Sequence, residues 1–488
     1  MKAKLLLLLI LLTGVHLNGF ILQAQTVSVK TDAKAAEDFA ATRKASFEKV
    51  WNTINEKHFD ANFNGVNWQK MREIYEPQAL AATNVDELHR ILQKMLDELK
   101  ESHFSIIPET AKIPSVKTKS PKIDETPAKP AKTANVKSQS AMATKLPTPE
   151  TNNQSETPED VVNVTENGVI GIDIKILNEQ FVVTKVKENS PAAQSGVKTG
   201  FVLQKINDVA LTEILAPLEK AFSQRRDTET EKNSLRTRFL KAAFDGKPAT
   251  KIKLEFLDAK DLPQVIDVER VVDNAEMSLP LGNFPAFRTE FESKLLENNI
   301  GYIRFNIWTI SELPKIKAAI RQMKDAKGII FDVRGNPGGI GAIAPGISGL
   351  LVKEQTSLGS MNTRSSEQKL IAYPQLNPFR GKIIVLIDAG SGSTSEIFAA
   401  GLQENNLATI IGERSAGMLL ASIFDKIPTG AIFQYAIADY RSPKKILIEG
   451  RGVKPDVEIA LTRQSLLAGK DSQIEAAIKE ISNARISK

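Results

Sequence analysis

Apolar residues recur along this chain with two different periods, and the change from one to the other marks its parts. FEKVWNTINEKHF and VDELHRILQKMLDEL repeat apolar positions every three to four residues, which predicts amphipathic helices within residues 33–108. GVIGIDI and FVVTKV then switch to alternation, and KIKLEFLD and QVIDVERVV resume it after a helical excursion from Glu213 to Phe244. From about Asn274, NIGYIRFNIW, the run from Gly328 to Val333 and KIIVLIDA read as buried strands. Helical stretches such as LPKIKAAIRQMK separate them, and AGKDSQIEAAIKEI closes the chain as an amphipathic helix. Strands alternating with crossover helices predict a mixed or parallel sheet, and hence a multidomain α/β protein.

Two segments stand apart. Residues 111–160 carry Pro, Ser, Thr and Lys, with no aromatic residue and no periodicity, so they cannot bury a core and read as a disordered linker. MKAKLLLLLILLTGVHLNGFILQAQ places two lysines before a leucine-rich run too short to span a bilayer. This reads as a signal peptide over 1–24 and so as export, to the periplasm or the exterior. No later stretch is apolar enough to cross a membrane. Zero cysteines exclude disulfides and a thiol nucleophile. The 488 residues allow about three domains at ~150 residues each. A net charge of +6, partly in leader and linker, gives no argument for nucleic acid. There is no HExxH or CxxC, so no metal site is expected, and no cofactor.

The densest chemistry lies between Lys382 and Gly417. A serine between a buried strand and a helix sits at a sheet edge, with the next amide facing a developing oxyanion and the helix dipole favouring negative charge. Ser391, Ser393 and Ser395 are equally suited to capping that helix, and none lies in a G-x-S-x-G elbow. Upstream, DVRGNPGG breaks a strand into a glycine loop where Gly338 and Gly339 let backbone amides approach a ligand. Without GK[ST] or G-x-G-x-x-G it is no phosphate cradle.

STSEIFAAGLQ with TIIGERSAG, GIIFDVRGNPGG upstream and IEGRGVKPDVEI downstream together resemble the tail-specific, or C-terminal processing, peptidases and their tricorn-core relatives. The resemblance implies a crotonase/ClpP-like α/β core over 274–488, a PDZ-like domain over 161–273 and an N-terminal helical domain over 33–108. It makes Ser393, three residues before Glu396, the nucleophile. Where one branch of the family places a lysine base this chain has Met418, which cannot accept a proton. The tricorn-like branch uses a histidine after a helix, here His103 in ESHF, with the adjoining Ser102. It takes a glutamate before G-V-x-P-D, here Glu449 in IEGRGVKPD. The remaining histidines of the mature chain, His58 and His89, read as structural.

Gly338 and Thr394 are the implied oxyanion donors. Gly168, Val169, Ile170 and Gly171 resemble the carboxylate-binding loop of a PDZ domain, which takes C-terminal tails by strand addition. The implied activity is that of an exported serine endopeptidase acting on unfolded or C-terminally presented polypeptides through a Ser–His–Glu acyl-enzyme. The alternative is an inactive peptide-binding protein on the same fold.

Overall fold

The structure is a computed structural model and describes residues 21–108, 167–222, 229–284 and 286–483. The leader up to residue 20, the linker reading over 111–160 and the first residues of the 161–273 segment lie outside the described residues. The chain divides into two compact units, one of residues 1–111, 215–237 and 275–488, the other of 112–214 and 238–274.

The first unit is built on a six-stranded sheet in the order Phe291–Leu296, Ile300–Phe305, Gly328–Asp332, Lys382–Ile387, Thr409–Gly412, Val457–Glu458. The first pair is antiparallel and the others are parallel. This is the mixed sheet that the strand–helix alternation predicts. Helices Glu312–Gln322 and Thr394–Glu404 make the crossovers. Because both faces are covered, the central strands are largely apolar, and Gly328–Asp332 is buried at every position, its one charge, Asp332, being paired with Arg334. Phe331, Val385, Ile397 and Phe398 fill one side, while Ile330, Ile384 and Leu386 meet Ala477 and Ile481 of the terminal helix Ser472–Asn483 on the other.

A second sheet in the same unit brings the N-terminal helices to the core. Strand Ile432–Arg441 carries Leu420–Lys426 and Thr356–Asn362 as antiparallel neighbours, and the short strand Ser105–Ile107 also pairs with it. Helix Val85–Asp97 is capped by Asn84, whose side chain accepts the Glu87 N–H at 2.9 Å. Its buried residues Leu88, Leu92, Met95 and Leu96 join Phe47, Trp51 and Ile54 of helix Ile21–Lys57 in one cluster with Leu420, Phe433 and Tyr435. Trp51 and Trp68 satisfy each other's buried indoles, each Nε1–H donating to the other's carbonyl at 3.1 Å. The helices at 33–108 and the segment from 274 onward therefore share a core, and the stretch ending in His103 runs directly into a strand of that core.

The second unit holds an antiparallel sheet in the order Ile172–Leu177, Gln180–Val186, Val202–Ile206, Lys251–Leu257, Pro263–Glu269. Gly168–Val169 pairs separately with Val271–Val272. The helical excursion consists of two helices, Leu211–Phe222 and Glu229–Phe244.

Candidate active site

Of the three serines before helix Thr394–Glu404, two are committed to structure. Ser391 is fully buried and donates to the Val333 carbonyl at 2.8 Å. Ser395 is also fully buried, donates to the Asn336 carbonyl and accepts from Trp308 Nε1. Ser393 alone is partly exposed. Its backbone sits at φ +51°, ψ −115°, a left-handed conformation costing a non-glycine residue about 1–3 kcal/mol. A serine strained on a strand-to-helix turn is the geometry of a nucleophile elbow, reached here without the G-x-S-x-G sequence.

Glu396 holds that turn. Its buried carboxylate accepts from the N–H groups of Ser393 (2.9 Å), Gly417 (2.7 Å) and Met418 (3.1 Å) and from the Ser415 hydroxyl (2.5 Å). Burial pushes its pKa up to about 7, against the pull of these donors, and Glu449 adds to the rise. In sequence Glu396 marked only the spacing to Ser393; four donors converging on it from distant segments have no local signal.

The glycine loop closes over the same serine. Gly338 has φ +105°, and a Cβ there would lie 2.6 Å from the Ser393 Cβ and 2.9 Å from the Thr394 nitrogen, so only glycine fits. Its N–H donates to Asn336 Oδ1 at 3.0 Å. The Thr394 hydroxyl donates to the Gly339 carbonyl at 3.0 Å. Among the described residues, no acceptor is bonded to the N–H of Thr394 or of Gly339. The loop is anchored by buried Arg334, which pairs with Asp332 and Asp471. Burial alone would raise the Asp332 carboxyl, but Arg334 and Arg304 hold it far below the usual carboxylate range.

The sequence-predicted base and acid meet on the other side of the Met418–Leu419 backbone. The Met418 carbonyl accepts the Ser393 N–H at 3.0 Å, and the next N–H, of Leu419, donates to Glu449 Oε2 at 2.6 Å. Glu449 Oε1 accepts the Ser102 N–H at 2.9 Å, and its Oε2 accepts the Ser102 hydroxyl at 3.0 Å. The Ser102 oxygen lies 2.6 Å from His103 Nδ1. His103 has φ +64°, so the residues read as nucleophile and base both occupy left-handed backbone. Desolvation pulls the His103 pKa down to about 4, which keeps the ring neutral near pH 7. Burial also pushes Glu449 upward, while the Ser102 and Leu419 donors oppose it.

Thus Ser102, His103 and Glu449 form one hydrogen-bonded line, and Ser393, Thr394 and Gly338 one cluster, joined through two consecutive backbone residues. Met418 occupies this junction with its backbone. His89 is buried and bonded to Thr429 Oγ1 at 2.8 Å, away from this line. Gly168–Gly171 belong to the other unit. The Gly168 N–H is bonded to the Gly246 carbonyl, and the Ile170 and Gly171 carbonyls accept from Ala192 and Lys187. Among the described residues, no cluster of His, Asp and Glu is arranged to hold a metal ion.

A partly exposed serine on a strained elbow, linked through Met418–Leu419 to a histidine–carboxylate line, brings together the groups a serine hydrolase needs, and sequence comparison narrows the class. Residues 299–459 match the model of peptidase family S41, and residues 39–97 match the tricorn protease C1 domain. The chain is a serine-type peptidase carrying the peptidase family S41 domain. It is 24% identical over 437 residues to a carboxyl-terminal-processing protease of Synechocystis, covering 88% of this chain and 84% of that protein. It is 23% identical to the carboxy-terminal processing protease CtpA of Bacillus subtilis, covering 63% of this chain and 59% of the relative. In fold it is similar to the photosystem II D1 C-terminal processing protease (TM-score 0.50, 15% identity, 87% of this chain and 97% of the other). It is also similar to mature CPAF (TM-score 0.54, 13% identity, 91% and 98%). His103 lies outside both matched segments.

Proposed function

We propose that the chain is an exported endopeptidase that cleaves unfolded or C-terminally presented polypeptides through an acyl-enzyme, with Ser393 as nucleophile, His103 as general base and Glu449 acting through Ser102. The observation that carries this reading is the unbroken line of contacts from Glu449 through Ser102 to His103. A hydroxyl has one proton, and Ser102 spends it on the Glu449 carboxylate. With Glu449 ionised, the Ser102 oxygen accepts from His103 Nδ1, 2.6 Å away. That tautomer leaves Nε2 unprotonated, the state required to take a proton from a serine. His103 removes the Ser393 proton as the oxygen attacks the peptide carbonyl. The imidazolium, steadied by Glu449 through Ser102, gives the proton to the leaving amine, and water then resolves the ester.

The Thr394 N–H is the first oxyanion donor. Gly338 supplies the second if its N–H turns from Asn336 to the substrate; the unbonded N–H of Gly339 is the neighbouring choice. Each donor contributes about 3–4 kcal/mol to the transition state.

The second unit is a PDZ-like domain in this reading, with Gly168, Val169, Ile170 and Gly171 as the carboxylate loop. Strand Ile172–Leu177 supports it, since it lies at the sheet edge with Gln180–Val186 as its one strand neighbour among the described residues, a place where a tail could extend the sheet. Export rests on the leader sequence. No helix among the described residues is long and apolar enough to cross a membrane. A serine-reactive fluorophosphonate tests the mechanism: it should label wild type and fail on Ser393→Ala. Equal labelling of both refutes the nucleophile, and a folded wild type that is never labelled favours the inactive peptide-binding alternative.

A further inference from the structure

The His103 segment is gripped from below by a histidine that the sequence marks only as structural. His58 follows helix Ile21–Lys57, its N–H bonded to the Ile54 carbonyl at 3.0 Å, and its ring is fully buried. Nε2 lies 2.9 Å from Glu101 Oε2, and the Asp60 N–H and carbonyl lie 3.1 and 3.0 Å from Nδ1. The ring also stacks on Phe104, with centroids 5.4 Å apart and planes 9° from parallel, and on Phe59 at 4.7 Å.

Glu101 and Phe104 are the two residues that bracket Ser102 and His103. Both ends of the four-residue segment therefore rest on one imidazole, the first by a hydrogen bond and the second by its ring face. The segment needs such anchoring. Lys100 at φ +56° and His103 at φ +64° are both left-handed, and such conformations persist only where the surroundings over-determine them. Burying an ion-pairing carboxylate is a poor way to gain stability, since desolvation offsets most of the attraction. An apolar ring at position 58 would stack on Phe104 equally well. What the polar pair adds is direction: with Asp60 N–H donating to Nδ1, Nε2–H points at Glu101 and sets where the chain enters Ser102.

We propose that His58 and Glu101 form a positioning pair that holds the His103 imidazole in line with Ser393. The proposal rests on the reading of His103 as the base. A misplacement of a catalytic group by about 1 Å costs on the order of 100-fold in rate. In the full-length protein, Glu101→Ala should therefore lower kcat for fluorescently labelled casein by about 10- to 100-fold, with KM within about twofold of wild type. The fluorophosphonate labelling rate of Ser393 should fall in parallel. His58→Phe, which keeps the stack and loses the bond, should behave alike. Glu101→Gln, whose amide oxygen still accepts from Nε2–H, should recover most of the rate. A protein that merely lost stability would show a lowered melting temperature and no such recovery.

Position 101 lies in a loop, so the Glu101 variants carry the test should His58→Phe not fold. A folded Glu101→Ala with wild-type kcat, or a Glu101→Gln as impaired as Glu101→Ala, overturns the proposal. His103→Ala separates the two readings. If it keeps turnover, the base assignment falls and the positioning role with it. If it is inactive while Glu101→Ala is not, only the positioning role falls.

Discussion

Ser102→Ala is the most discriminating single change in the candidate site, because it removes one oxygen that serves two partners. The hydroxyl donates to Glu449 at 3.0 Å and lies 2.6 Å from His103 Nδ1, from which it accepts in the proposed tautomer. Without it the imidazole loses the group that fixes its tautomer, and Glu449 loses its link to the charge that forms on the ring. The Ser102 N–H at 2.9 Å and the Leu419 N–H at 2.6 Å still hold the carboxylate, so the loop should stay in place. A hydrogen bond to a charged group is worth about 1.5–3 kcal/mol net. At 1.36 kcal/mol per tenfold in rate, this becomes a loss of about 10- to 160-fold in kcat. KM should change little, because the interaction strengthens only as the imidazolium forms. Steady-state hydrolysis of an unfolded protein gives kcat and KM, circular dichroism confirms the fold, and Ser102→Thr, which restores a hydroxyl, should recover part of the loss. A folded Ser102→Ala within about twofold of wild type would refute the relay through Ser102, since even the weaker estimate exceeds that.

Four further outcomes follow from the same geometry. Ser393→Ala should abolish turnover, by roughly a million-fold where the full triad operates; activity within about tenfold of wild type in a peptide-hydrolysis assay would remove Ser393 from the mechanism. Met418→Ala should cost little, since the junction uses the Met418 N–H and carbonyl, whereas His103→Ala should inactivate; an active His103→Ala would redirect attention to Lys426 as base. Gly338→Ala places a Cβ 2.6 Å from that of Ser393 at φ +105°, so kcat should collapse together with a measurable fall in melting temperature, and a fully active variant would mean that the loop is free to move. His103 titrates near 6.5 when unfolded and is pulled down to about 4 in the fold. The unfolded chain thus binds the extra proton first, and stability should drain away as pH falls from about 6.5 to 4, levelling off below. Urea unfolding across that range should show a shallower acid limb in His103→Phe than in wild type.

The sequence by itself determined what local pattern can determine. The period-two and period-3.6 segments located three of the mixed sheet's six strands, Ile300–Phe305, Gly328–Asp332 and Lys382–Ile387, and its flanking helices to within a few residues. The strand predicted from Gly328 to Val333 ends at Asp332, and the helix read from Glu396 begins at Thr394. The resemblance of motifs far apart in the chain to the tail-specific peptidases pointed to Ser393, Ser102, His103 and Glu449 as the groups a shared reaction would bring together. Tertiary structure decided the rest. By local pattern alone the three serines in GSGSTSEIF are equal, and only packing buries Ser391 and Ser395 and leaves Ser393 partly exposed at φ +51°. Glu396 gathers donors from positions 393, 415, 417 and 418, and His58 meets Glu101 and Phe104 across more than forty residues; neither leaves a periodic trace. The strand Ser105–Ile107 is three residues long, below what alternation can reveal, yet its pairing with Ile432–Arg441 ties the His103 segment to the second sheet. Hydrogen bonds and contacts between distant segments depend on where the backbone brings them, and that is settled by burial of the whole apolar pattern at once.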